Sequence, residues 1–213
     1  LLELPSQHRV PLSWLSQHGG EIIALRCLTE LAPAGTVDPT AIDAARQAVV
    51  AAKPVAAVVK KQKDTGVWAA NLLGLAASKA TGVKDVGTIP QYRRLLQMGY
   101  PLTGRPFKLA DRLLFRLLSR DDDPALLFEF RKMAAGDTHA ESWARWVIRE
   151  ASCAALAEAG HIEDPRLRGS AHKVASVTRS IAAPRDRRHP PPAPARNTGC
   201  RTIPAHPSSA PGA

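Results

Sequence analysis

The chain has few aromatic residues (5%), only three cysteines among 213 residues, and no apolar run near the ~20 residues that a membrane span needs. Cys27, Cys153 and Cys200 lie far apart and form no Cys-x-x-Cys pair, so a disulfide framework is not expected. A reducing, cytoplasmic location is therefore predicted. Because alanine and leucine dominate and no alternating strand pattern occurs, helix is favoured over sheet.

Common catalytic signatures are also missing from the sequence. It contains no Gly-rich phosphate loop, no His-Glu-x-x-His and no nucleophile-elbow pattern. No secretory signal pattern precedes the first helical stretch. No cofactor is therefore expected, and the sequence leaves enzymatic activity undecided.

Residues 183–213 differ in composition from residues 1–182. They hold eight of the 18 prolines and, besides Ile203, no large aliphatic or aromatic residue. Such a segment buries too little apolar surface to offset its ordering entropy, so we expect a helical domain over 1–182 and a disordered Pro/Arg/Ala-rich tail. The tail is explained either as a functional linker or as an out-of-frame artefact. Since the sequence begins with Leu1 and not with an initiator Met, N-terminal truncation of the domain is an expectation that the sequence leaves open.

Aspartate–proline pairs mark helix starts. Asp38, Asp123 and Asp164 each precede a proline, and an aspartate N-cap followed by proline at the first helical position is a typical beginning. Apolar periodicity predicts helices over about 20–32, 39–52, 54–61, 90–98, 106–119, 124–135, 138–159 and 165–182, and a long loop over 63–87 with a helical turn near 68–76. Short connections between them predict an all-α fold of stacked antiparallel helical pairs, arranged as a partial α/α toroid or a HEAT-like solenoid.

Two of the predicted helices have a recognisable apolar face. In the helix over 106–119 the face is formed by Phe107, Leu114, Leu117 and Leu118. In the helix over 138–159 it is formed by Trp143, Trp146, Val147, Ala154 and Ala157, with Cys153 at its edge and Ile148 off it. Both faces are expected to lie in the core.

One short motif stands out at Gln62-Lys63-Asp64-Thr65-Gly66-Val67-Trp68. In this pattern, Gln is followed by three residues, Gly, any residue and Trp. The pattern resembles the repeat of the terpene cyclase and protein prenyltransferase families, which build α/α toroids. The resemblance implies that Gln62 bonds across the turn between two helices, that Gly66 allows the turn and that Trp68 packs on the next helix. No second such repeat occurs, so the chain is expected to be a fragment of a toroid, or an arc that serves as a non-catalytic scaffold or binding protein.

An acidic run, Asp121-Asp122-Asp123, supplies the candidates for catalysis. Cyclases of the resembled type use Asp-x-Asp-Asp as an acid, but Arg120 stands where the first Asp would be. A carboxylate Mg²⁺ site for a diphosphate is an alternative, and so is a run that complements a helix N-terminus. Catalytic residues therefore stay unassigned.

A zinc site is the second chemical possibility. The resembled prenyltransferases bind Zn²⁺ through Asp, Cys and His, and Cys153, His161 and Asp164 are ligands that zinc accepts. Their order and spacing do not follow that family, and a buried cysteine is usually structural. We therefore predict no metal.

A basic stripe gives the alternative functional hypothesis. Five basic residues recur three or four positions apart and share one helical face: Arg105, Lys108, Arg112, Arg116 and Arg120. With a net charge of +10, such a stripe permits contact with nucleic acid or with an acidic protein partner. The alternative function is thus a HEAT-like basic scaffold, and a merely solvated face remains the competing interpretation.

Overall fold

The computed structural model describes residues 11–33, 35–68, 71–74, 87–119, 129–130 and 136–182. These ranges contain eight α-helices and no strand: α1 (Leu12–His18), α2 (Gly20–Arg26), α3 (Pro39–Ala51), α4 (Lys53–Lys60), α5 (Thr88–Gln97), α6 (Arg105–Ser119), α7 (Thr138–Glu158) and α8 (Pro165–Ala182). The predicted all-α class is confirmed, whereas the toroid or solenoid arrangement stays a prediction. The Asp123 cap and the tail lie outside the described residues, and of the predicted helix over 124–135 only residues 129–130 are described, as part of a turn.

Helix starts follow local capping chemistry. The Asp38 carboxylate accepts a hydrogen bond from the Thr40 amide (2.9 Å), and the Asp164 carboxylate accepts one from the Arg166 amide (2.9 Å). Both satisfy a backbone N–H that the first helical turn leaves without a partner. Asp137, which the sequence analysis did not select, caps α7 in the same way.

The N-terminal region departs from the predicted single helix over 20–32. An additional helix, α1, precedes it, and the chain after Arg26 continues as a π-helical turn over Cys27–Leu31. In this turn the Ala32 amide donates to the Cys27 carbonyl, five residues back. The Thr29 hydroxyl also donates to the Leu25 carbonyl (3.0 Å), a side-chain bond of the kind that disturbs regular helical pairing.

The core centres on α6, which packs against α5, α7 and α8. The predicted apolar face of α6 is confirmed, because its four members are all buried. Phe107 meets Tyr92 of α5 edge to face, with ring centroids 4.9 Å apart. None of the described helices combines the length and the apolar character that a membrane crossing requires.

The predicted core face of α7 is wrong. Ile148, expected off the face, is only 3% exposed, whereas Trp143 is 48% exposed and Ala154 and Ala157 are exposed. The helix buries Ala144, Ile148, Ser152, Cys153, Ala155 and Leu156 instead. Since α7 carries apolar residues on two sides, its spacing alone could not decide which side meets α6.

The Asp164 cap yields a pH prediction. A hydrogen bond from the Arg166 side chain, assisted by the backbone cap, holds the pKa of the Asp164 carboxyl at about 2, against an ordinary value of 3.8. Because the pKa of Asp164 is lower in the folded protein than in the unfolded chain, its ionised carboxylate stabilises the fold. This stabilisation is fully present above the unfolded pKa, and it is lost as the pH falls from the unfolded pKa through the folded pKa. Solvent exposure of the pair screens and reduces the effect.

Asp164→Ala is therefore expected to lower the free energy of unfolding by about 1 kcal/mol at neutral pH and by less at pH near 2. Urea unfolding at several pH values measures the difference between the variant and the parent protein. Asp43→Ala, which removes an exposed aspartate from within α3, is the matched control. If Asp164→Ala lowers the free energy of unfolding as much in acid as at neutral pH, the prediction is contradicted.

Candidate functional site

The turn over residues 62–68 begins just after α4 and lies against the first turn of α6. The Gln62 side-chain amide donates to the Gly66 carbonyl (3.1 Å) and to the Pro106 carbonyl (2.9 Å). Gly66 has a φ of +89°, and a Cβ there would lie 2.5 Å from the Leu109 carbonyl oxygen. Gln62 thus connects the turn to α6, and only glycine fits the close approach at position 66.

Trp68 closes the same turn from inside the core. Its side chain is 1% exposed, and its indole N–H donates to the Val58 carbonyl of α4 (2.8 Å). Its backbone N–H donates to the Thr88 hydroxyl at the start of α5 (3.1 Å), and that hydroxyl donates to the Asn71 carbonyl (2.7 Å). Trp68 therefore connects α4 with α5 through polar bonds within a buried cluster.

Basic side chains occupy the outer side of α6. We call Arg105, Lys108, Arg112 and Arg116 the basic face; all four residues are exposed, and the last three follow one another about 6 Å apart along the helix axis. The helix buries Phe107, Ala110 and Leu114 on its opposite side. Arg120, the fifth predicted member, lies outside the described residues.

The turn over 62–68 and the first turn of α8 border the basic face. On one flank the turn over 62–68 carries the exposed Lys63, and its Asp64 pairs with Arg105 (Nη2 to Oδ1, 2.6 Å). On the other flank the guanidinium carbon of Arg166 lies 4.1 Å from the centroid of the Phe115 ring. Both neighbouring cations lie beside an acidic residue: Lys63 adjoins Asp64 in sequence, and Arg166 pairs with Asp164 (Nη2 to Oδ2, 2.8 Å). The helical spacing alone did not predict these neighbours.

A partly buried polar connection on the flank of α6 was also missed. The Tyr92 hydroxyl donates to Asp111 Oδ1 (2.7 Å), and His161 Nε2 lies 3.4 Å from Asp111 Oδ2. Burial, and then the bond to Asp111, raises the pKa of Tyr92, so its phenol stays protonated as a donor. The three residues come from α5, α6 and the α7–α8 loop, so no local sequence signal brings them together.

A second missed contact holds the chain after Trp68. The Glu129 carboxylate accepts hydrogen bonds from the Leu72 and Leu73 amides, at 2.8 and 2.7 Å. Adjacent amides that converge on one carboxylate form a small anion-binding nest, which an internal side chain fills here. This contact fixes a loop position and offers no external site.

The chemical candidates from the sequence do not form a described site. Asp121, Asp122 and Asp123 lie outside the described residues. Burial raises the pKa of the Cys153 thiol, while His161 contacts Asp111 and Asp164 caps α8. Among the described residues, no three His, Cys, Asp or Glu side chains are grouped closely enough to hold a metal ion.

Trp68→Ala is expected to lower the free energy of unfolding by roughly 3–5 kcal/mol, because it empties a buried site and removes the indole's hydrogen bond to the Val58 carbonyl. Chemical denaturation measures the change. Trp14→Ala, which removes an indole that is 57% exposed on α1, is the matched control and should cost far less. Equal losses in the two variants would refute the assigned role of Trp68.

Gly66→Ala is expected to cost several kcal/mol, because a positive φ alone costs about 1–2 kcal/mol and the Leu109 carbonyl adds a backbone clash. Gly136→Ala separates the two causes, since Gly136 also has a positive φ (+79°) but no atom within 4 Å of an added Cβ. Thermal melting of both variants makes the comparison. Similar losses would show that the turn can move away from α6.

Comparison of the chain with family models, curated proteins and solved structures finds no match. The feature with the clearest chemical consequence is the basic face, because it combines exposure, regular spacing and a fixed position on a core helix.

Proposed function

We propose that the protein is a non-catalytic helical scaffold that binds the phosphate backbone of nucleic acid through its basic face. The observation that carries this proposal is the row of exposed cations along α6, whose opposite side is buried in the core. Lysine and arginine side chains that contact phosphates release condensed counterions, and this release supplies most of the affinity in sequence-independent binding.

The placement of acidic groups supports the same proposal. Asp111, the one acidic residue within α6, contacts Tyr92 and His161 on the flank of the helix. Asp64 neutralises part of the charge of Arg105 at one end. Lys108 and Arg112 in the middle carry no ion pair among the described residues, so their charges remain available to a polyanion.

A second proposal concerns architecture. We keep the proposal that the chain is a fragment of an α/α toroid, related to the terpene cyclase and prenyltransferase repeat. The contacts of Gln62 with α6, the positive φ of Gly66 and the burial of Trp68 support it, because they agree with the roles that the resemblance implies. Further Gln–Gly–Trp repeats in flanking coding sequence would support it further, and their absence would favour the separate scaffold.

Fluorescence anisotropy with labelled single-stranded and duplex oligonucleotides tests the binding proposal. If four phosphates are neutralised, affinity should fall about 100-fold between 50 and 200 mM salt. Lys108→Glu combined with Arg112→Glu should weaken binding by at least about tenfold at low salt, since two phosphate contacts become repulsive.

The matched control combines Lys173→Glu with Arg179→Glu, which makes the same change in net charge at two exposed positions of α8. Equal losses in both double variants, or an affinity that does not depend on salt, would overturn the proposal. Binding to polyglutamate but to neither oligonucleotide would replace it with an acidic protein partner.

A further inference from the structure

The outer side of the α7–α8 pair carries an apolar groove. Its volume is about 510 Å³, and its lining includes Cys153, Ala154, Ala157, Ala171, Val174 and Ala175. Most of these side chains are small, so the two helices leave a shallow depression between them. The exposed alanines of α7 are those that its sequence pattern had placed in the core.

Two opposite charges stand at different levels of this groove. Glu150 belongs to α7 and Arg168 to α8, and both line the groove. Arg168 also forms an exposed ion pair with Glu163 of its own chain, which is weak enough to exchange for another carboxylate. The helices run antiparallel across a short loop; Glu150 lies eight residues before the end of α7, and Arg168 lies three residues after the start of α8. Glu150 therefore lies farther from the loop along the groove than Arg168 does.

A protruding side chain marks the Arg168 end of the groove. Ile162, in the loop between the helices, is 59% exposed and also lines the groove. The same patch thus presents an apolar projection near a positive charge, and an apolar depression near a negative charge. A two-fold rotation about the centre of the groove places each of these features against its complement.

We propose that the groove is the interface of a weak homodimer, in which a second copy of this chain packs its own α7–α8 pair against it. Ile162 of the second copy enters the depression near Val174 and Ala175, and Arg168 of the second copy pairs with Glu150. Because the patch is short, the dimer forms only at high protein concentration.

The distribution of charge favours this occupant. The chain carries a net charge of +10, which opposes self-association in general. However, the basic face lies on the side of α6 opposite to its buried contacts, and α7 and α8 pack on α6. The two basic faces therefore point away from the proposed interface, which is lined by one charge of each sign.

Sedimentation velocity of the full chain over a wide concentration range tests the dimer. Glu150→Arg and Arg168→Glu, each alone, should raise the dissociation constant at least about tenfold, because each places like charges opposite one another. The double variant, Glu150→Arg with Arg168→Glu, should restore dimerisation. Circular dichroism verifies that each variant is folded.

A steric variant gives an independent test. Ala171→Arg should abolish the dimer by filling the groove, while Ala57→Arg, at an exposed alanine of α4, should leave it unchanged. A parent protein that stays monomeric at all concentrations would overturn the proposal, as would a dimer that Ala171→Arg leaves intact. A monomer that binds an apolar dye only while Ala171 is present would assign the groove to a small apolar ligand instead.

Discussion

Burial of the Trp68 indole requires an acceptor for its N–H, and the carbonyl of Val58 provides it. This one bond sets the distance between the end of α4 and the chain that leads to α5. Around it, the Thr88 hydroxyl accepts the hydrogen bond of the Trp68 amide, and the Gln62 amide bonds the Pro106 carbonyl of α6. The turn over 62–68 is thereby fixed against α5 and α6 at the same time.

The display of charge on α6 depends on this turn. Gln62 and Gly66 place the turn against the first residues of α6, so Lys63 and Asp64 reach the end of the basic face. The Arg105–Asp64 pair is exposed, and such pairs contribute at most about 1 kcal/mol. The buried indole is worth several times more, so the surface pair orients side chains on a position that the core has already determined.

Local interactions could be predicted from the sequence, and long-range ones could not. The caps at Asp38 and Asp164 and the buried side of α6 depend on neighbours within one or two turns, so their patterns are visible in the sequence. The Tyr92–Asp111–His161 connection joins residues 19 and more positions apart, and no spacing rule indicates it. For the candidate site, the spacing along α6 was visible, but the positions of Asp64 and Arg166 beside it depend on long-range packing.

The error on α7 has a physical meaning of its own. Of the two apolar sides of α7, the one that contains Ile148 and Leu156 packs in the core, and close packing depends on shape complementarity with α6, which the spacing along one helix does not reveal. The other side then keeps small residues and the exposed Trp143 in contact with water unless another surface covers it. In the proposed dimer that surface is a second copy, and the two basic faces point outward. One long polyanion that contacts the basic face of one copy would bind the basic face of the second copy at high effective concentration. Dimerisation would then strengthen polyanion binding, and the polyanion would stabilise the dimer.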